Sequence, residues 1–166
     1  ELKHLYGQED QLFENDGKGT FTDVQTDRGA YFHEEMVGRG ACFGDYDNDG
    51  DIDAYIVNLE DHGALLRNNK GNQNNWITLH LVGEKSNRDG IGARVKVLYG
   101  GLQQVAQKKS SSGYLSQNDP RMHFGLGDHN MVDQIEVVWP SGIIQVLENI
   151  EVGQILTITE SLSTSP

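Results

Sequence analysis

The sequence predicts an all-β protein: one or two blade-like β units of the kind found in propellers, followed by an antiparallel β-sandwich or small barrel. Three observations carry this. Apolar residues recur at a period of two in short runs, and no segment shows a helical 3.6-residue period. Turn residues punctuate these runs at short intervals, with 20 glycines in 166 residues and an apolar fraction of 36%. The chain also changes character near Asn75. Residues 1–75 carry 16 acids against 6 bases, a net of −10, whereas residues 76–166 carry 9 against 7, a net of −2. The domain boundaries read from this are 1–74, 75–160 and a tail at 161–166.

In the first segment, Leu12-Phe13-Glu14 and Thr20-Phe21-Thr22 flank Asn15-Asp16-Gly17-Lys18-Gly19, a hairpin signal. Asp16 reads as a turn former, because that turn holds a single carboxylate. His33-Glu34-Glu35 lacks the spacing of a zinc site and reads as a solvated loop. Leu65-Leu66-Arg67-Asn68-Asn69-Lys70-Gly71-Asn72 echoes residues 12–19 at an offset of about 53 residues, in the range of blade repeats.

The most specific motif is Asp45-Tyr46-Asp47-Asn48-Asp49-Gly50-Asp51-Ile52-Asp53. Carboxylates stand at places one, three, five and nine, and a glycine at place six. A hard divalent cation asks for this: Ca2+ takes about six to eight oxygens, and alternate residues of a tight loop supply them. The candidate ligands are the side chains of Asp45, Asp47, Asp49 and Asp53 and the backbone carbonyl of Asp51. Gly50 is expected at positive φ. The EF-hand is excluded, since place twelve is Ile56 rather than a bidentate Glu. Ala41-Cys42-Phe43 and Ala54-Tyr55-Ile56-Val57 place the loop between strands.

The run from Phe43 to Asp53, continued by Tyr55-Ile56-Val57-Asn58, resembles the calcium loop of FG-GAP (VCBS-type) repeats, the blades of integrin-like β-propellers. Two such units do not close a propeller, so the resemblance implies a longer parent protein and blade edges open to self-association.

From residue 76 onward, strands are expected at 76–82, with Ile77, Leu79 and Leu81 inward, and at 93–99. Gly100-Gly101 then turns the chain into 102–109. Further strands are expected at 122–124, 132–139 with Ile135, Val137 and Trp139 inward, 143–147 and 154–159. Ser86-Asn87-Arg88-Asp89-Gly90-Ile91-Gly92-Ala93-Arg94-Val95, Ser111-Ser112-Gly113-Tyr114-Leu115-Ser116-Gln117, His123-Phe124-Gly125-Leu126-Gly127 and Val138-Trp139-Pro140-Ser141-Gly142 occur in that order. Together they resemble the ASPIC/UnbV domain, which ends FG-GAP-containing proteins of the cartilage acidic protein type. That resemblance implies a calcium-binding protein that is secreted or displayed at the cell surface.

The net charge of −12 excludes a nucleic-acid partner. No apolar run reaches the roughly 20 residues of a membrane span. One cysteine, Cys42, allows no internal disulfide, and the start at Glu1 without a signal segment reads as a processed or excised chain. Gly90-Ile91-Gly92 and Gly125-Leu126-Gly127 lack the strand–helix setting of a phosphate loop and read as turn and bulge glycines. Ser110-Ser111-Ser112-Gly113 offers no nucleophile elbow, and His123 and His129 read as a strand and a loop residue. No catalytic constellation emerges. Asn87, Arg88 and Arg94 either brace a loop or grip a carboxylate, with bracing favoured. Trp76, Tyr114 and Trp139 offer flat faces for a sugar, though Trp139 before Pro140 suits a core.

The reading is therefore a non-catalytic, calcium-binding module for adhesion or ligand binding, with an extracellular protein or glycan as partner. An enzyme fragment with a pocket at the propeller or domain junction, and a carbohydrate-binding module, stay open as alternatives.

Overall fold

The computed structural model describes residues 3–24, 29–69 and 73–162. Fourteen strands dominate the described residues, accompanied by one helical turn (Lys3–Tyr6) and one 3-10 turn (Ala30–His33). The first seven strands are β1 (Gln8–Glu9), β2 (Phe13–Asn15), β3 (Phe21–Asp23), β4 (Glu35–Met36), β5 (Gly38–Gly44), β6 (Asp53–Asn58) and β7 (Ala64–Leu66). They form a β1–β4 pair, a β2–β3 hairpin and a three-stranded antiparallel sheet in the order β5-β6-β7.

The hairpin closes as its turn chemistry demands. Asp16 Oδ1 accepts the amides of Lys18 and Thr20 at 2.7 and 3.1 Å, which confirms Asp16 as a turn former. Leu65-Leu66 falls in β7, and the remainder of that echo at 70–72 lies outside the described residues, as do 163–166 of the tail. Glu35 departs slightly from the expected loop by pairing, through β4, with Glu9 of β1.

The second seven strands build a sandwich. They are β8 (Asn75–Val82), β9 (Arg94–Tyr99), β10 (Leu102–Gln107), β11 (Met122–Gly127), β12 (Met131–Val138), β13 (Ile144–Glu151) and β14 (Gln154–Thr159). One sheet runs β10-β9-β12-β13 and the other β11-β8-β14. The two remain separate, so the architecture is a sandwich and not a barrel. One pairing departs from the antiparallel expectation: β14 lies parallel to β8. A parallel neighbour needs a crossover rather than a hairpin, and residues 83–153, which include the whole opposite sheet, supply it.

Alternation fills the core as predicted. Ile77, Leu79 and Leu81 of β8, with Phe124 and Leu126 of the neighbouring β11, share one core with Val95 and Val97 of β9 and Ile135 and Val137 of β12, all at most 2% exposed. Trp139 completes this core at 2% exposure. Each such side chain contributes about 1.5–3 kcal/mol by leaving water, and this is where hydrophobic burial concentrates. The Gly100-Gly101 turn closes β9 to β10 with both glycines at positive φ, 53° and 79°, as a two-residue hairpin turn requires.

A buried acid closes the sandwich. Glu160, directly after β14, is 2% exposed. Its Oε2 accepts three consecutive amides, from Glu84, Lys85 and Ser86, at 2.8, 2.8 and 2.7 Å. Its Oε1 accepts the hydroxyls of Ser86 and Ser141. The last strand is thereby fastened to the β8–β9 connection and to the Pro140-Ser141-Gly142 turn. Burial pushes the Glu160 pKa up, but the bonds from Ser141, Ser86 and Glu84 outweigh it and hold the carboxyl down to about 2. A depressed pKa contributes stability above the unfolded-state value of 4.5 and loses it as pH falls toward about 2. Chemical denaturation of wild type and Glu160→Gln across pH 2–6 checks this. The stability gap between them is expected to be widest above pH 4.5 and to shrink as pH falls. A gap independent of pH would contradict the nest.

Candidate metal loop and its seat on the sandwich

The loop at 45–52 connects β5 to β6. Its conformation is set by its own side chains. Asp45 is 3% exposed, and its carboxylate accepts the amides of Asp49 and Gly50, both at 3.0 Å. Asp49 Oδ1 accepts the Asp51 amide at 3.0 Å. Aspartates bonding to amides a few residues on are the usual means of holding a tight turn. Gly50 takes φ 95° as expected, and Asn48 also enters the left-handed region at φ 59°, which asparagine tolerates better than most residues.

One carboxylate oxygen from each of Asp45, Asp47 and Asp49 lies within 4.8 Å of the others. Oxygens bound to a common Ca2+ at 2.3–2.6 Å stand at most about 5 Å apart, so these three fit a single cation. The group is a cluster that could bind a metal ion. Asp51 and Asp53 sit in the same loop, 1% and 3% exposed, with carboxylates outside this three-oxygen group. Asp53 accepts the amides of Tyr46 (3.3 Å) and Asn68 (2.8 Å), joining the loop to the chain after β7.

Arg67 adds a feature that alternation in the loop gave no sign of. Its guanidinium lies 3.0 Å from Asp47 and 3.3 Å from Asp49. The Asp51 amide, followed by Arg67, lowers the pKa of Asp49 against burial. One cation against three carboxylates leaves the cluster net negative.

The loop is seated on the outer face of the β11-β8-β14 sheet. Trp76 of β8 and His123 of β11 lie side by side there, ring centroids 6.0 Å apart and 21° between planes. Gly50 sits against the indole: a Cβ at Gly50 would fall 1.9 Å from Trp76 Nε1. Thr78 Oγ1 and His123 Nδ1 are 3.0 Å apart beneath it. Burial lowers the His123 pKa, opposed by the field of Asp45.

Arg121 fastens the loop down. It donates from Nη1 to Asn48 Oδ1 at 2.6 Å, from Nη2 to the Asp45 carbonyl at 2.8 Å, and from Nε to the Asp119 carboxylate at 2.9 Å. Burial raises the Asp119 pKa, and the Arg121 bonds more than offset it. Alongside, the Asp119 amide donates to the Phe43 carbonyl at 2.8 Å and Asn118 Oδ1 accepts the Phe43 amide at 3.1 Å. Residues 118–119 thus meet the β5 edge at Phe43. Sequence reasoning missed Arg121 and Asp119; the compact Asn118-Asp119-Pro120-Arg121 run ahead of β11 was the available signal.

The remaining candidates fall into place away from this seat. Asn87 braces its loop, bonding both ways with the Ile91 backbone at 2.7 and 2.8 Å. The side chains of Arg88 and Arg94 show no hydrogen bond or ion pair among the described residues, so the side-chain bracing expected of all three belongs to Asn87. Gly90 and Gly92 occupy turns at φ 64° and 96°, and the Gly125–Gly127 stretch carries the bulge of β11. Tyr114 is 73% exposed at a loop tip. His129 lies in a loop, its ring 5.3 Å from Tyr99. No helix among the described residues is long and apolar enough to cross a membrane.

Gly50→Ala tests the seat. Positive φ alone costs a residue with a Cβ about 1–2 kcal/mol, and displacing Trp76 adds about 1–3 kcal/mol. The variant is expected to lose about 2–4 kcal/mol in denaturant unfolding, and a loss under 0.5 kcal/mol would show that Gly50 does not pack on the indole.

Comparison with known proteins places the second half. The chain is 29% identical over 146 residues to cartilage acidic protein 1 of Homo sapiens, covering 77% of this chain and 20% of that protein. It is 34% identical over 119 residues to the Xenopus tropicalis protein of the same name, covering 64% and 17%. The chain therefore spans about a fifth of the length of the curated relatives it matches. The ASPIC and UnbV family pattern matches residues 83–165, the stretch that holds the Glu160 nest, Arg121 and most of the sandwich, and the chain belongs to that family.

Proposed function

We propose that this chain is a non-catalytic, calcium-stabilised module of a secreted or cell-surface protein, in which an FG-GAP/VCBS-like metal loop is seated on an ASPIC/UnbV sandwich and used for adhesion or ligand binding. The observation that carries the reading is the convergence of Asp45, Asp47 and Asp49 oxygens within 4.8 Å in a loop already folded by its own aspartates. Oxygen-only donors and a loop of this length suit Ca2+ better than the softer transition metals. Similarity to proteins named for cartilage supports an extracellular setting. The bound ion would be structural: it would neutralise the net negative cluster and tie β5 to β6.

The Trp76 indole beside Gly50 provides the assay, because it can sensitise a terbium ion held in the loop. Terbium luminescence excited through tryptophan is expected to rise on titration and to fall when Ca2+ displaces the ion. Asp47→Ala, which removes one of three converging carboxylates, is expected to weaken Ca2+ competition by at least about tenfold, or 1.4 kcal/mol. Unchanged competition would remove Asp47 from the site and with it the proposed coordination.

A further inference from the structure

A second site lies beside the loop. A cavity of about 630 Å3 opens between the sandwich and the 108–121 connection, within the range that holds small ligands. Lys108 lines it and is 5% exposed. Its ammonium has no hydrogen bond or ion pair among the described residues. A lysine this buried is nearly always paired, since an isolated charge is costly away from water. The two acids on the cavity wall are already engaged: Asp119 by Arg121, and Asp45 by the amides of its own loop. An unpaired amine on a cavity wall is a donor open to an anion. Burial lowers the Lys108 pKa, opposed by the fields of Asp119 and Asp89, and a bound anion would favour its charged form.

The rest of the wall says what kind of anion. Gln117 and Ser112 line the cavity with side chains that bond to no described residue. Asn118 spends its Oδ1 on the Phe43 amide and keeps its NH2 group. Phe43, 48% exposed, offers an apolar face at the same opening. A charge, several hydroxyl-directed groups and one ring face match a sugar that carries a carboxylate.

We propose that this cavity binds an acidic sugar, its carboxylate held by the Lys108 ammonium, its hydroxyls by Gln117, Ser112 and Asn118, and its ring against Phe43. None of the groups proposed to contact the sugar is a converging loop carboxylate, although Asp45 belongs to both the cavity wall and the loop cluster, so binding is expected whether or not the loop holds a cation.

The test is an NMR titration of the full chain with D-glucuronate, with D-glucose and acetate as comparisons, each run in Ca2+ and in EDTA. Glucuronate is expected to give saturable shifts centred on residues 108–123, and Lys108→Met to weaken binding by about tenfold or more while Lys85→Met, an exposed lysine outside the cavity lining, leaves it unchanged. A second arm needs no variant: saturating glucuronate is expected to protect Lys108 from amine acylation read by peptide mass spectrometry. A uronate-terminated disaccharide in the same titration separates a free sugar acid from a chain end, the tighter of the two naming the source. Binding by Lys108→Met equal to wild type, acylation of Lys108 unchanged by glucuronate, or acetate binding as tightly as glucuronate would overturn the proposal. Loss of binding in EDTA alone would make the cavity dependent on the loop cation, against the independence claimed for it.

Discussion

The structure turns on the Arg121 guanidinium. Its rigid fork reaches three places at once: the Asp119 carboxylate beside it, the Asn48 side chain and the Asp45 carbonyl of the acidic loop. A lysine, a point charge with no such fork, could not hold this geometry. Charge-assisted bonds that are partly shielded from water are the stronger class of hydrogen bond, and Arg121 and Asp119 keep only about a fifth of their side-chain surface exposed. Without this clamp, the loop would rest on the sandwich mainly through Gly50 against Trp76. With it, the acidic half and the ASPIC/UnbV half share one surface, and the order of the loop depends on the order of β11.

The same economy governs the other joints. An exposed strand edge invites pairing with another chain, and residues 118–119 meet the β5 edge with two backbone-directed bonds to Phe43. A chain end is prone to fray, and the Glu160 nest fixes the last strand by placing a carboxylate over three successive amides, a concavity suited to an anion. In both places a polar group performs what the hydrophobic core does elsewhere. That suits a protein whose first half has few buried apolar side chains, with Met36 and Val37 the buried hydrophobics among its described residues.

How much of this was legible in the sequence follows from how local each feature is. Period-two alternation names β8, β9 and β12 and their inward residues without ambiguity, because one face of each strand has to leave water. The loop is legible because carboxylate spacing and a glycine at its turn are short-range demands. What the sequence hides is long-range. The parallel partnership of β14 with β8 depends on a crossover of some 70 residues, and no local pattern reports it. Arg121, Asp119 and Lys108 look like ordinary surface charges until the fold brings residues 108–121 against the loop. Glu160 reads only as the last residue of its domain until its nest, 74–76 positions earlier, is in place. Arg88 and Arg94 drew attention for their glycine-rich surroundings, yet Asn87, with the shorter side chain, is the one that reaches the backbone.

The acidic loop and the sandwich, joined by Arg121, are expected to unfold as one unit that a cation in the loop stabilises. Calorimetric melting of the whole chain in EDTA, in Mg2+ and in Ca2+ tests this. A ligand that binds the folded state alone raises stability by RT ln(1 + [L]/Kd), so a single transition shifted upward in Ca2+, and little in Mg2+, is the predicted result. An unshifted melting temperature, or two transitions of which only the smaller moves with Ca2+, would contradict it.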